Sequence, residues 1–120
     1  MAYYDLMLAS VPTAKRAEYE ALSEKTLPVF TDAGALSIAE LWGDDVPEGK
    51  KNSLHTAVLR EDGEEVAATV IIWPSREARD AGMAKVMADP RMQPGAIEMP
   101  FDGSRMIFGG FQVLMASGAS

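Results

Sequence analysis

Apolar positions along this chain recur with period two or with a period near 3.6, and two segments are apolar at both parities. Val66–Trp73 and Met106–Met115 carry β-branched, aromatic and other apolar residues at odd and even positions alike. Side chains alternate across a strand, so strands of this kind need cover on both faces. Tyr3–Val11 predicts a further strand ending at Pro12, and Ala35–Trp42 another, with Leu36, Ile38, Glu40 and Trp42 on its bulkier face. Between these two strands Tyr19, Leu22, Thr26, Val29 and Ala33 form the stripe of an amphipathic helix. Thr13 is its expected N-cap, Gly34 its left-handed close, and Pro28 predicts a kink or break near Lys25. A second helix is expected from Ser75 as N-cap through about Asp89, with Ala78, Gly82, Met83, Val86 and Met87 inward. Gly82 costs about 1 kcal/mol of helix propensity relative to alanine, which close packing on the sheet would explain.

The polar stretch Gly43–Ser53 reads as a loop. Leu54–Arg60 and Glu65–Trp73 read as a hairpin turning at Asp62-Gly63. Pro90–Arg105 is expected to be irregular, and Ala116–Ser120 to fray. The order is strand–helix–strand, a hairpin extension, then strand–helix–strand, an architectural repeat without residue-level similarity between the halves. It predicts a single α+β domain over residues 1–120, a ferredoxin-like split βαβ sandwich with two helices on one face of an antiparallel sheet. The two helices cover one face only. The other is expected to meet the same sheet of a second copy, as in a dimeric α/β barrel.

Composition narrows the function classes. Eighteen acidic against eleven basic residues give a formal charge of -7, without a basic run longer than Lys50-Lys51, which disfavours nucleic acid as a partner. The absence of cysteine excludes disulfides, thiolate metal sites and thiol catalysis. The N-terminus lacks the pattern of a signal peptide, and no apolar run approaches the ~20 residues that span a bilayer. A cytoplasmic protein with neither membrane partner nor cofactor is expected.

Several motifs resemble a known bacterial family. They are Val11-Pro12, Glu40–Lys50 (ELWGDDVPEGK), Trp73–Met92 (WPSREARDAGMAKVMADPRM) and Met99–Phe111 (MPFDGSRMIFGGF). Together they run through nearly the whole chain in the order of the YbaA-like family, a domain of unknown function. The resemblance implies the dimeric α/β barrel fold and carries neither an established activity nor catalytic residues.

The residues themselves nominate candidates. Strand alternation puts Glu40 beside Ile38 and Trp42, where burial would raise its pKa, as in cofactor-free proton-transfer sites. The alternatives are an ion pair with Arg91 or Arg105, or a strand end turned to solvent. Asp5, on the face of Tyr3 and Met7, is a second candidate acid or an orienter of Glu40, against the plainer role of a rim residue. Trp42, Trp73, Arg91 and Arg105 are candidate ligand anchors, with core packing and local ion pairs as the ordinary reading of each. Asp44-Asp45 with Glu48 matches no calcium-loop spacing, and the lone His55 lacks neighbouring ligands, so no metal is expected. Gly109-Gly110 marks a bulge or a close backbone approach. Three functions follow: a binder of a small organic molecule in the cleft between sheet and helices; a cofactor-independent oxygenase or isomerase using Glu40 or Asp5; or an interaction protein whose cleft its own side chains fill.

Overall fold

The computed structural model describes residues 1–118. Four strands form one antiparallel sheet: β1 (Tyr3–Pro12), β2 (Ser37–Trp42), β3 (Glu64–Trp73) and β4 (Ile107–Gln112), in spatial order β2-β3-β1-β4. Helix α1 (Arg16–Asp32) joins β1 to β2, and α3 (Arg76–Ala88) joins β3 to the segment before β4. A single short turn of helix, α2 (Leu54–Ala57), lies between β2 and β3. This order is that of the ferredoxin-like α+β sandwich.

Register explains the core. Tyr3 pairs with Trp73, Asp5 with Ile71, Met7 with Thr69 and Ala9 with Ala67, so these residues share one face. Ile38, Glu40 and Trp42 of β2 join them opposite Ile71, Thr69 and Ala67. On this face Tyr3, Ile71 and Trp73 pack with Val29 and Phe30 of α1 and Val86 of α3. Farther along, Ala9, Val11 and Ala67 pack with Tyr19. The opposite face carries Tyr4, Leu6, Leu8, Ala39, Leu41, Val70, Ile72, Ile107 and Phe111. Leu6, Leu41, Ile107 and Phe111 there are between 39% and 52% exposed. Both parities of the central strands are thus apolar, but only one is covered within the chain.

Two local expectations are overturned, as is the break offered as one alternative in a third. Leu54–Arg60 is not a strand, because β3 already has β2 on one edge and β1 on the other and leaves no edge for a hairpin partner. Instead Ser53 and Thr56 form a reciprocal capping box that starts α2, and Leu59 adopts φ 51°. The turn at Gly63 (φ 82°) remains, entered from α2 rather than from a strand. Thr13 does not cap α1: its hydroxyl donates to the Gly63 carbonyl at 3.1 Å, tying the end of β1 to the start of β3, and a 3₁₀ turn precedes the helix. Pro28 does not break α1, which runs unbroken to Asp32. Burial of the next two residues, Val29 and Phe30, anchors the final turn and outweighs the lost hydrogen bond.

Smaller differences follow the same physics. Ser75 caps α3 as expected by accepting from the Ala78 N–H, and Gly34 follows α1 with φ 113°. Met87 points outward and is 71% exposed, while Gly82 and Val86 are buried. A Cβ on Gly82 would collide with the Trp73 ring, so the helix rests directly on the indole. Strand β4 stops at Gln112, short of the expected Met115. The expected fraying concerns 116–120, of which 119 and 120 lie outside the described residues.

Candidate functional site

A cavity of about 100 Å³ opens between α1, the covered sheet face and the segment joining α3 to β4. That is several times the ~10–15 Å³ needed to hold a single water. The sheet supplies Met7, Ala9, Ala67, Thr69 and Glu40 as its floor. One wall is the inward stripe of α1: Tyr19, Leu22, Ser23, Thr26 and Phe30. The roof is the irregular stretch after α3, through Met92, Ile97, Met99, Phe101 and Met106. That stretch is tied to the body by local chemistry. The Lys25 ammonium donates to the Ala96 carbonyl, Arg91 bridges Asp89 and Asp32, and Arg105 grips Glu64.

Glu40 is the carboxylate of this cavity. Its Oε2 accepts two hydrogen bonds, from Tyr19 Oη and Thr69 Oγ1, each 2.8 Å long. Its Oε1 accepts none from the described residues. Burial pushes the Glu40 carboxyl above its ordinary pKa, and the two hydroxyl donors pull in the opposite direction without cancelling the shift. The Tyr19 phenol is also raised, first by burial and then by the neighbouring carboxylate. Among the described residues, no lysine, arginine or histidine lines the cavity. The acid therefore meets a cavity that holds no cation from these residues, with one oxygen free of hydrogen bonds from them, while Arg16 borders a neighbouring groove that Glu40 also lines.

The other nominated residues scatter. Asp5 shares the covered face but turns elsewhere, accepting from Trp73 Nε1 at 2.9 Å and lying 3.7 Å from Arg79 Nε. It neither contacts Glu40 nor lines the cavity. Trp73 is fully buried beneath Gly82 and belongs to the core. Trp42 stands just outside the cavity, its ring 6.1 Å from that of Tyr19 and covered by the Arg16 guanidinium. Arg91 is taken up by Asp89 and Asp32. Arg105 makes two 2.7 Å bonds to Glu64 and donates to the Leu59 carbonyl. These bonds hold the Glu64 carboxyl down at about 2. Neither arginine reaches Glu40.

His55 Nδ1 faces Glu48 at 3.4 Å, away from the cavity. Among the described residues no group of three or more His, Cys, Asp or Glu gathers as a metal site. Gly110 does mark a close approach, to the protein's own side chains: a Cβ there would lie 2.5 Å from both Arg79 Nη2 and Tyr3 Oη. Tyr19 and Thr69 were not singled out by sequence reasoning. Tyr19 was legible only as a helix stripe position, and Thr69 only as an alternate residue of an apolar strand.

Comparison with known proteins agrees with the fold and leaves the chemistry open. Residues 2–103 match the family described as Protein of unknown function (DUF1428). The chain is 44% identical over 115 residues to Uncharacterized protein YbaA of Escherichia coli K12, covering 96% of this chain and 98% of that protein. The same figures hold for YbaA of Shigella flexneri. A solved structure with a similar fold is that of a mutant of SnoaB, a cofactor-independent oxygenase from Streptomyces nogalater. It gives a TM-score of 0.56 at 17% identity and covers 96% of this chain and 95% of that one. No helix among the described residues is long and apolar enough to cross a membrane. The chain belongs to the DUF1428 family.

Proposed function

We propose, with that family membership as the premise, that the protein acts as a homodimer whose protomers each take a small, mainly apolar organic molecule into the Glu40 cavity. The observation that carries this reading is a carboxylate with an unpaired oxygen at the wall of an otherwise apolar space. An apolar cavity lined by packed side chains is a ready receptor for a small hydrophobic body, and a single polar group orients it. The uncovered sheet face supports the dimer. Leu6, Leu41, Ile107 and Phe111 lie on one side of one sheet, and apolar surface of that extent is normally buried against a partner. A second sheet packed on it would satisfy the two-sided apolar pattern of β3.

Glu40 also favours a second reading, in which the bound molecule is transformed by proton transfer. A carboxylate raised by burial, placed against the pocket, is suited to take a proton from an acidic O–H or C–H and return it at another position of the same molecule. Asp5 has no part in this reading, because Trp73 and Arg79 already engage it.

Native mass spectrometry of gently purified protein tests the first reading. A dimer releasing a reproducible small molecule is the expected result, whereas a bare monomer would overturn it. Given a released molecule, Glu40→Gln separates the two readings. Binding retained with turnover abolished favours catalysis, and no turnover by the wild-type protein leaves a binder.

A further inference from the structure

The polar groups of the cavity define which molecules it can accept. Glu40 Oε2 is filled by the Tyr19 and Thr69 hydroxyls, so any new hydrogen bond to the carboxylate must go to Oε1. Both hydroxyl protons are already spent on Oε2, and the Ser23 hydroxyl is donated to the Tyr19 carbonyl at 2.9 Å. The three hydroxyl groups at this end of the cavity therefore have no proton left for a ligand acceptor. No cationic side chain among the described residues lines the space. Just outside it, a groove is bordered by Glu20, Glu24 and Glu40 on the acidic side and by Arg16 on the basic side. Arg16 is drawn to Glu20 at 3.1 Å. An anion entering the cavity would lose its hydration and meet no cation from the described residues, with the Thr26 hydroxyl as its donor among the lining side chains. Apart from the Thr26 hydroxyl, the rest of the lining is thioether, aliphatic and aromatic, which suits a flat apolar body.

We infer that the cavity selects a single-ring apolar molecule bearing a hydrogen-bond donor, an amine or a hydroxyl, which points at Glu40 Oε1, and that it rejects carboxylates and phosphates. This rests on the reading of the cavity as a binding site and adds the chemical class of its ligand. A donor placed on a charged acceptor in an apolar surround is among the stronger hydrogen bonds, and an anion in the same place has no cationic counterpart among the described residues.

The test is a matched series of four probes of nearly one shape: benzylamine, benzyl alcohol, toluene and benzoate. Binding to the intact wild-type protein is measured by ligand-observed NMR titration at neutral pH. Benzylamine and benzyl alcohol are expected to bind at least about tenfold more tightly than toluene, as a net gain from one hydrogen bond to a charged group implies, and benzoate more weakly than toluene. Glu40→Gln keeps an oxygen for Tyr19 and Thr69 but turns an N–H into the cavity. It should erase the amine preference and admit benzoate, while toluene binding, unchanged, certifies that the variant pocket is intact. If toluene binds as well as the donors, or benzoate binds as well as toluene, the ligand class is wrong and the cavity remains a binding site of another selectivity. If none of the four binds, the binding-site reading itself fails and takes the ligand class with it.

Discussion

Replacing Gly82 by alanine sets two well-known effects against each other, and the structure decides between them. Glycine to alanine in a helix interior normally stabilises by about 1 kcal/mol, because alanine loses less backbone entropy on folding. Here a Cβ would stand 2.6 Å from Trp73 Cη2, nearer still to Cζ3, and 3.0 Å from the Ala33 carbonyl oxygen. The indole cannot swing aside. It is fully buried among Tyr3, Val29, Phe30, Ile71 and Val86, and its N–H is held by Asp5 at 2.9 Å. Overpacking a rigid core costs about 1–3 kcal/mol, and immobility at both ends of the ring argues for the upper part of that range. Gly82→Ala should therefore destabilise by a net of about 1–2 kcal/mol, opposite in sign to the propensity scale. Urea denaturation at fixed protein concentration, with m unchanged and the midpoint lowered, is the assay. In a Trp42→Phe background the native fluorescence reports Trp73 alone and should shift as the ring is displaced. A variant as stable as wild type, or more so, would refute the claim that α3 rests on an immovable indole.

Three further outcomes follow from the same geometry. Glu64 is held at about 2 by Arg105, so its folded-state pKa lies below its unfolded value near 4.5. The stabilisation is present in full above 4.5 and is lost as pH falls through about 2. Arg105→Ala should lower stability at neutral pH, with the gap to wild type closing between pH 4.5 and 2 in acid-denaturation curves; a gap independent of pH would remove the ion pair as its cause. Tyr19→Phe deletes one of the two donors that restrain Glu40, so the carboxyl should titrate higher still by carbon-13 NMR, at a stability cost of about 1 kcal/mol. The two sheet faces should respond differently to a charge. Ile71→Asp, on the covered face, should unfold the protomer, whereas Phe111→Asp, half-exposed on the open face, should give a folded monomer by light scattering. A folded Ile71→Asp protein, or a dimeric Phe111→Asp protein, would contradict the assignment of faces.

The strands were legible because period-two patterning is local. Tyr3–Val11, Val66–Trp73 and the segment ending at Trp42 lie where their residues place them, and Glu40 shares its face with Ile38 and Trp42 by alternation alone. Ser75 and Gly34 punctuate their helices for equally local reasons. Leu54–Arg60 misled because its composition suits a strand, while the decision rested with β1 and β2, which occupy both edges of β3. Thr13 misled in the same way, since a fair cap was claimed by Gly63, fifty residues away.

What the chain determined by itself is the order of its four sheet strands and two long helices, the two-sided apolarity of its central strands and the face on which its pocket carboxylate stands. These follow from side-chain size and alternation, which any short window contains. Tertiary structure alone decided what that carboxylate meets. Tyr19 and Thr69 reach Glu40 from elements 21 and 29 residues away, and the arginines that might have neutralised it are held by Asp89, Asp32 and Glu64 instead. Whether a buried acid is paired, hydrogen-bonded or left with a free oxygen depends on which groups arrive within about 3 Å, and only the folded chain sets those approaches.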